Sequence, residues 1–131
     1  MGNLIVEATI NTPYVNFDTQ KGVIEIKGRS VPENPFDFYE PFLQWVEENF
    51  KETPTKITVN IQFEYFNSSS SSCILEIFKR LEIIKNIHEN NEVIINWFYS
   101  EEDEDMLESG KDYEDIINLP FKMVKLTEIQ K

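Results

Sequence analysis

Three groups of side chains in this sequence are able to do chemistry: Cys73 with His88, the serine run Ser68–Ser72, and the acidic run Glu101–Asp105. The chain has one cysteine and one histidine. Nucleophilic catalysis of the Ser-His-Asp or Cys-His type needs the base within hydrogen-bond reach of the nucleophile. His88 lies at the far end of the helical pattern that contains Cys73, more than roughly 20 Å along a helix axis at ~1.5 Å per residue. It cannot meet Cys73 or the serines within that helix. Cys73 reads as a small buried hydrophobe and His88 as a residue that favours a helix C-terminus. One His and one Cys cannot fill a zinc site. The four glycines are isolated, so no phosphate-cradling loop exists. No cofactor is expected.

The acidic run offers oxygen ligands for Ca²⁺ or Mg²⁺. An EF-hand loop places a glycine sixth and a glutamate twelfth, whereas counting from Glu101 puts Met106 and Asp112 there. Two accounts stand open. One is a solvated acidic turn, which beside exposed Met106 and Glu108 would steer a basic partner. The other is a metal- or small-ligand-binding protein, or a small enzyme, centred on residues 101–105.

The serine run is the most unusual local feature. It stands between a strand pattern and a helix pattern, where the first four helical N–H groups lack partners and Asn or Ser side chains cap them. One or two serines suffice for a cap, and five leave hydroxyls for another use. A phosphate on one of them would face the positive end of the helix dipole and add roughly −1.5 to −2 charge. Such a group changes a partner surface without unfolding the domain.

The elements that must position these groups follow from periodicity. The 131 residues suit one domain, 1–131. Leu4–Ile10, Tyr14–Asp18 and Val23–Lys27 read as an antiparallel meander, with a turn at Gln20-Lys21-Gly22 and a loop from Gly28 to Pro35. A helix is expected from near Pro41, its stripe formed by Tyr39, Leu43, Val46 and Phe50, with an end at Thr53-Pro54-Thr55. Lys56–Phe63 alternates as a strand. Ile74, Ile77, Phe78, Leu81 and Ile84 mark a second helix, ended by Asn90-Asn91. Glu92–Tyr99 is apolar on both faces, as a central strand would be. Two short helical pieces flank Gly110, and Phe121–Leu126 reads as an edge strand. Trp45 and Trp97 are expected in the core. The order predicts an α/β sandwich with helices packed on a mixed sheet.

Charge narrows the partners. With 12 Lys and Arg against 24 Asp and Glu, the net charge is −12. That excess repels phosphate backbones and anionic membranes, so no nucleic-acid and no membrane partner is expected. No signal peptide, lipidation motif or membrane-length apolar run is visible, and one cysteine suits a reducing setting, so a cytoplasmic location is expected.

Four stretches then stand out together: GRSVPEN from Gly28 to Asn34 with FYEP from Phe38 to Pro41 and Trp45; EYFNSSSS from Glu64 to Ser71; WFYSEEDEDMLESGKDY from Trp97 to Tyr113; and Leu119-Pro120-Phe121. In these, and nearly end to end, the chain resembles the SiaC family of bacterial regulatory phosphoproteins. The resemblance implies a STAS-like sandwich similar to anti-sigma-factor antagonists, and a non-enzymatic role in partner switching. It implies phosphorylation by a cognate protein kinase, dephosphorylation by a PP2C-like phosphatase, and an effector that is a diguanylate cyclase, linking the switch to cyclic-di-GMP and biofilm regulation. The family's acceptor is a threonine directly after an asparagine. That position is Ser68 here, with Ser69 as second choice, and Ser72 stands where the family has a lysine. Partner contacts are expected from Glu33, Asn34, Asn67, Ser69, Ser70, Asp103, Glu104, Asp105 and Met106.

Overall fold

In a computed structural model of the chain, residues 3–50 and 55–126 are described. The first strand, β1 (Asn3–Val6), is shorter than the expected Leu4–Ile10. Beyond it the Thr9 hydroxyl accepts hydrogen bonds from the N–H groups of Asn11 (3.2 Å) and Thr12 (3.0 Å), a local turn that competes with the ladder. Strands β2 (Tyr14–Asp18) and β3 (Val23–Ser30) complete the antiparallel meander. Gly22 turns the chain between them at φ 67°, a backbone region natural to glycine. The loop expected at Gly28 begins only after Ser30. A bulge at Gly28/Arg29 leaves Glu64 out of register on the neighbouring strand, and pairing resumes through Ser30.

Helix α1 (Pro35–Asn49) starts earlier than the expected Pro41. The Asn34 side chain accepts from the Asp37 N–H at 3.3 Å, and Pro35 takes the first helical position, where a missing N–H costs nothing. Pro41 falls in the second turn, on the exposed side. Of the expected stop at Thr53-Pro54-Thr55, the first two residues lie outside the described residues. There follow β4 (Lys56–Phe66), α2 (Ser68–Ile87), β5 (Glu92–Ser100), α3 (Glu104–Ile116) and β6 (Phe121–Leu126).

The six strands lie in sequence order. The pairs β1–β2 and β2–β3 are antiparallel, and the pairs from β3 to β6 are parallel. Each parallel step moves one strand onward through a helix, and crossovers of one hand then place the helices on one face. Burial records this. Ile24, Ile26, Val59, Ile61, Ile95 and Trp97 are at most 1% exposed, whereas the alternate Glu25, Thr58, Asn60 and Asn96 are only half-buried. Each covered aliphatic or aromatic side chain contributes about 1.5–3 kcal/mol. Ile94, 37% exposed, corrects the expectation that β5 is buried on both faces. The strand is central by hydrogen bonding but roofed on one side. Its open side instead carries a bond from the Asn96 side-chain amide N–H to the Asn60 side-chain Oδ1 (2.9 Å).

Gly110 requires a second correction, since α3 runs unbroken through it. A β-carbon there would collide with the Trp97 ring. The glycine is a contact residue that lets α3 lie flat on Trp97, whose indole N–H donates to the Met106 carbonyl at 2.8 Å. Trp97 is fully buried, and Trp45 packs edge-on against Phe17 at 5.4 Å between centroids.

Candidate functional site

The parallel strands β3, β4 and β5 each feed a helix, so three helix N-termini gather at one end of the sheet, where ligands and partners of open α/β sheets commonly bind. Their caps are Asn34, Asn67 and Asp103, each accepting a hydrogen bond from the backbone N–H three residues on. The sequence singled out all three as partner residues. Capping is the work the structure assigns them.

Around Asn67 the five serines divide. Ser70 is fully buried. Its hydroxyl donates to the Ser30 carbonyl (3.0 Å) and accepts from the Ser30 hydroxyl (2.9 Å), which also bonds the Tyr39 hydroxyl at 2.6 Å. The Ser71 hydroxyl lies 2.9 Å from that of Tyr113, which donates to the Ser71 carbonyl, also at 2.9 Å. Ser72 turns back to the Ser68 carbonyl at 3.5 Å. The first helical turn is therefore clamped from β3 and α1 on one side and from α3 on the other. Ser68 and Ser69 are exposed, and their hydroxyls bond no group among the described residues. Asn67 occupies the N–H groups of Ser70 and Ser71, through its side chain and its carbonyl. The N–H groups of Ser68 and Ser69 remain open toward solvent.

The two clamping tyrosines are buried phenols. Tyr113 is pushed up to about 12 by its burial, with the Ser71 hydrogen bond pulling the other way. Tyr39 is raised in the same direction, again chiefly by burial. Both stay protonated and serve as hydrogen-bonding struts. Cys73, one turn further along α2, is buried, and desolvation raises its thiol, so it is not an activated nucleophile. His88 caps the other end of α2 and accepts from the Asn90 N–H at 3.0 Å.

The acidic run is likewise parcelled out. Asp103 caps α3, and Glu104 and Asp105 sit exposed in its first turn, where the helix dipole favours negative charge. The Met106 side chain, expected to be exposed, is buried at 6%. It lies on the inner side of α3 above Trp97. Among the described residues no group of three or more His, Cys, Asp or Glu side chains is placed to hold a metal ion. The metal-site account of residues 101–105 has no geometric support. Glu33 is exposed beside the Asn34 cap. Ser30, Tyr39 and Tyr113, which hold the serine turn in place, were not singled out from the sequence as site residues. They lie up to 42 positions from their partners, and no local pattern marks such pairs.

Among the described residues no helix is long and apolar enough to cross a membrane. The fold is similar to the crystal structure of apo-SiaC from Pseudomonas aeruginosa, with a TM-score of 0.85 at 23% identity over 95% of this chain and 99% of that one. It is similar also to a chain in the crystal structure of the diguanylate cyclase SiaD in complex with its activator SiaC from the same organism. There the TM-score is 0.87 at 24% identity, over 94% and 99% of the two chains. An uncharacterized protein of Pseudomonas aeruginosa (strain UCBPP-PA14) is 25% identical over 122 residues, 92% of this chain and 94% of that protein. The model of the SiaC family of regulatory phosphoproteins matches residues 6–126, and the chain belongs to that family.

Proposed function

We propose that this chain is a non-enzymatic, cytoplasmic partner-switching phosphoprotein whose acceptor is Ser68. A cognate kinase transfers a phosphoryl group to the Ser68 Oγ, which loses its proton as the bond to the nucleoside diphosphate breaks. A PP2C-like phosphatase hydrolyses the ester. The unphosphorylated form holds an effector, a diguanylate cyclase, and through it affects cyclic-di-GMP and biofilm formation.

The observation that carries this reading is the division of the serine run. Ser70 and Ser71 are held in buried or half-buried bonds, while Ser68 presents an unengaged hydroxyl beside two open backbone N–H groups at a helix N-terminus. A phosphate there gains charge-assisted hydrogen bonds without disturbing the clamp. Ser69 shares the exposure and is the alternative acceptor. Support for the effector comes from the SiaD–SiaC complex of a fold relative.

The test is intact-mass and peptide mass spectrometry on protein purified from its host with phosphatase inhibitors present. One phosphate on Ser68 is expected. Ser68→Asp should then lose one partner that Ser68→Ala retains. An unmodified serine peptide across growth conditions, with equal partner binding by both variants, would remove the switch.

A further inference from the structure

We propose that a cleft over the first residues of β4 and β5 binds a small organic anion, a carboxylate or phosphate group carried on an apolar body. Its volume is about 560 Å³, a size usual for small-molecule sites. Strand register builds it. On the unroofed face of the sheet Lys56 stands beside Glu92, Thr58 beside Ile94, and Asn60 beside Asn96. Lys85, in the last turn of α2, lines the same cleft from the helix side, so the cleft curls around the starts of the two strands. Pro120, just ahead of β6, lines it as well.

Its charge runs against that of the chain. Two lysines and one glutamate line it, a positive balance on a chain at −12. Lys122 lies beside Asn96 in the register and adds a third ammonium next to the cleft. Among the described residues Lys56, Lys85 and Lys122 are in no ion pair, whereas Lys79, Arg80 and Lys125 are paired. At the carboxyl end of the same strands a cleft of about 510 Å³ sets Lys27 against Glu64 and Asp103, a negative balance. A small anion is therefore steered to the amino end. The polar groups there have capacity to spare. The Thr58 hydroxyl bonds no group among the described residues, and the Asn96 amide spends one of its two N–H groups on Asn60. Ile94, 37% exposed, supplies an aliphatic surface between them. A bare inorganic anion would leave Ile94 and Pro120 in water, and an uncharged apolar molecule would forgo the lysines. An acid on an apolar body uses both. Glu25 borders Asn60 on the next strand, so a long polyanion laid across the sheet meets a carboxylate, which favours a small ligand.

The experiment is an amide-correlation NMR titration of the full-length protein. The probes are naphthyl phosphate, naphthylacetate, the uncharged naphthylacetamide and inorganic phosphate. Saturable movement of the Thr58, Ile94 and Asn96 amide signals is expected with the naphthyl anions. The amide and inorganic phosphate should bind at least about tenfold more weakly. A response to naphthyl phosphate alone makes the ligand a phosphate and a response to naphthylacetate alone makes it a carboxylate; either upholds the site. Lys56→Gln and Lys85→Gln should each weaken binding about threefold. Lys111→Gln removes the same charge from the exposed side of α3 and should change binding by less than about 1.5-fold. Ile94→Ser, which leaves the charge untouched, should weaken it about fivefold. The same spectra report whether each variant is folded. No saturable shift with either naphthyl anion, shifts confined to other residues, equal binding of the uncharged amide, or equal losses from Lys85→Gln and Lys111→Gln would overturn the site.

Discussion

The two ends of the same parallel strands are built differently. At the end where α2 stops, Asn91 is 1% exposed and fully used: its side chain accepts from the Thr55 N–H at 2.8 Å and donates to the Ile84 carbonyl at 2.7 Å. One buried side chain sews together β5, the entry to β4 and the last turns of α2. At the other end Ser70 plays the same part, bonded to Ser30 and through it to Tyr39. There, however, the knot is surrounded by open groups: the hydroxyls of Ser68 and Ser69, and the carboxylates of Glu104 and Asp105. The contrast separates polar groups that fold the chain from polar groups that the fold leaves exposed, and the proposed function draws on the second kind.

Breaking the closed end should have the largest effect. Asn91→Leu orphans the Thr55 N–H and the Ile84 carbonyl, and we expect a loss of about 4 kcal/mol in urea unfolding. A loss under about 1 kcal/mol would mean that water replaces the amide. Next comes alkaline pH. The folded state keeps the Tyr113 proton up to about pH 12, whereas an unfolded phenol releases it near its ordinary value of 10.0. The stability this provides is complete below pH 10 and is lost as pH climbs toward 12. For Tyr113 the loss amounts to roughly 3 kcal/mol. Tyr39 acts in the same sense. Urea midpoints from pH 8 to 11 should fall steeply above pH 10, and less steeply in Tyr113→Phe. The smallest effect sharpens the comparison within the serine turn. Ser70→Ala should cost about 2 kcal/mol, and Ser68→Ala less than about 0.5 kcal/mol. Equal thermal shifts for the two variants would erase the distinction between knot and surface.

Where local pattern and tertiary demand agree, the sequence is readable. Ile57, Val59, Ile61 and Phe63 alternate because β4 has one roofed face, and the stripe from Ile74 to Ile84 repeats because α2 packs one side on the sheet. Where they part, reading fails in an explicable way. Gly110 looks like a break because glycine weakens a helix, yet it is there for Trp97, a residue on another element. Met106 looks exposed amid acids, although α3 turns it inward. Ile94 looks buried because apolar composition does not tell which sheet face is roofed.

By itself the sequence determined the order of strands and helices, apart from the single helix that runs through Gly110, together with the mixed sheet, the acidic character and the family. These follow from periodicity, composition and motif, which are properties of short windows or of the whole chain summed. Only the tertiary structure decided which serines are spoken for. The Ser30–Ser70 and Ser71–Tyr113 bonds join positions 40 and 42 residues apart. A hydroxyl's availability depends on what the fold brings beside it, and nothing local in a run of identical residues distinguishes one from the next.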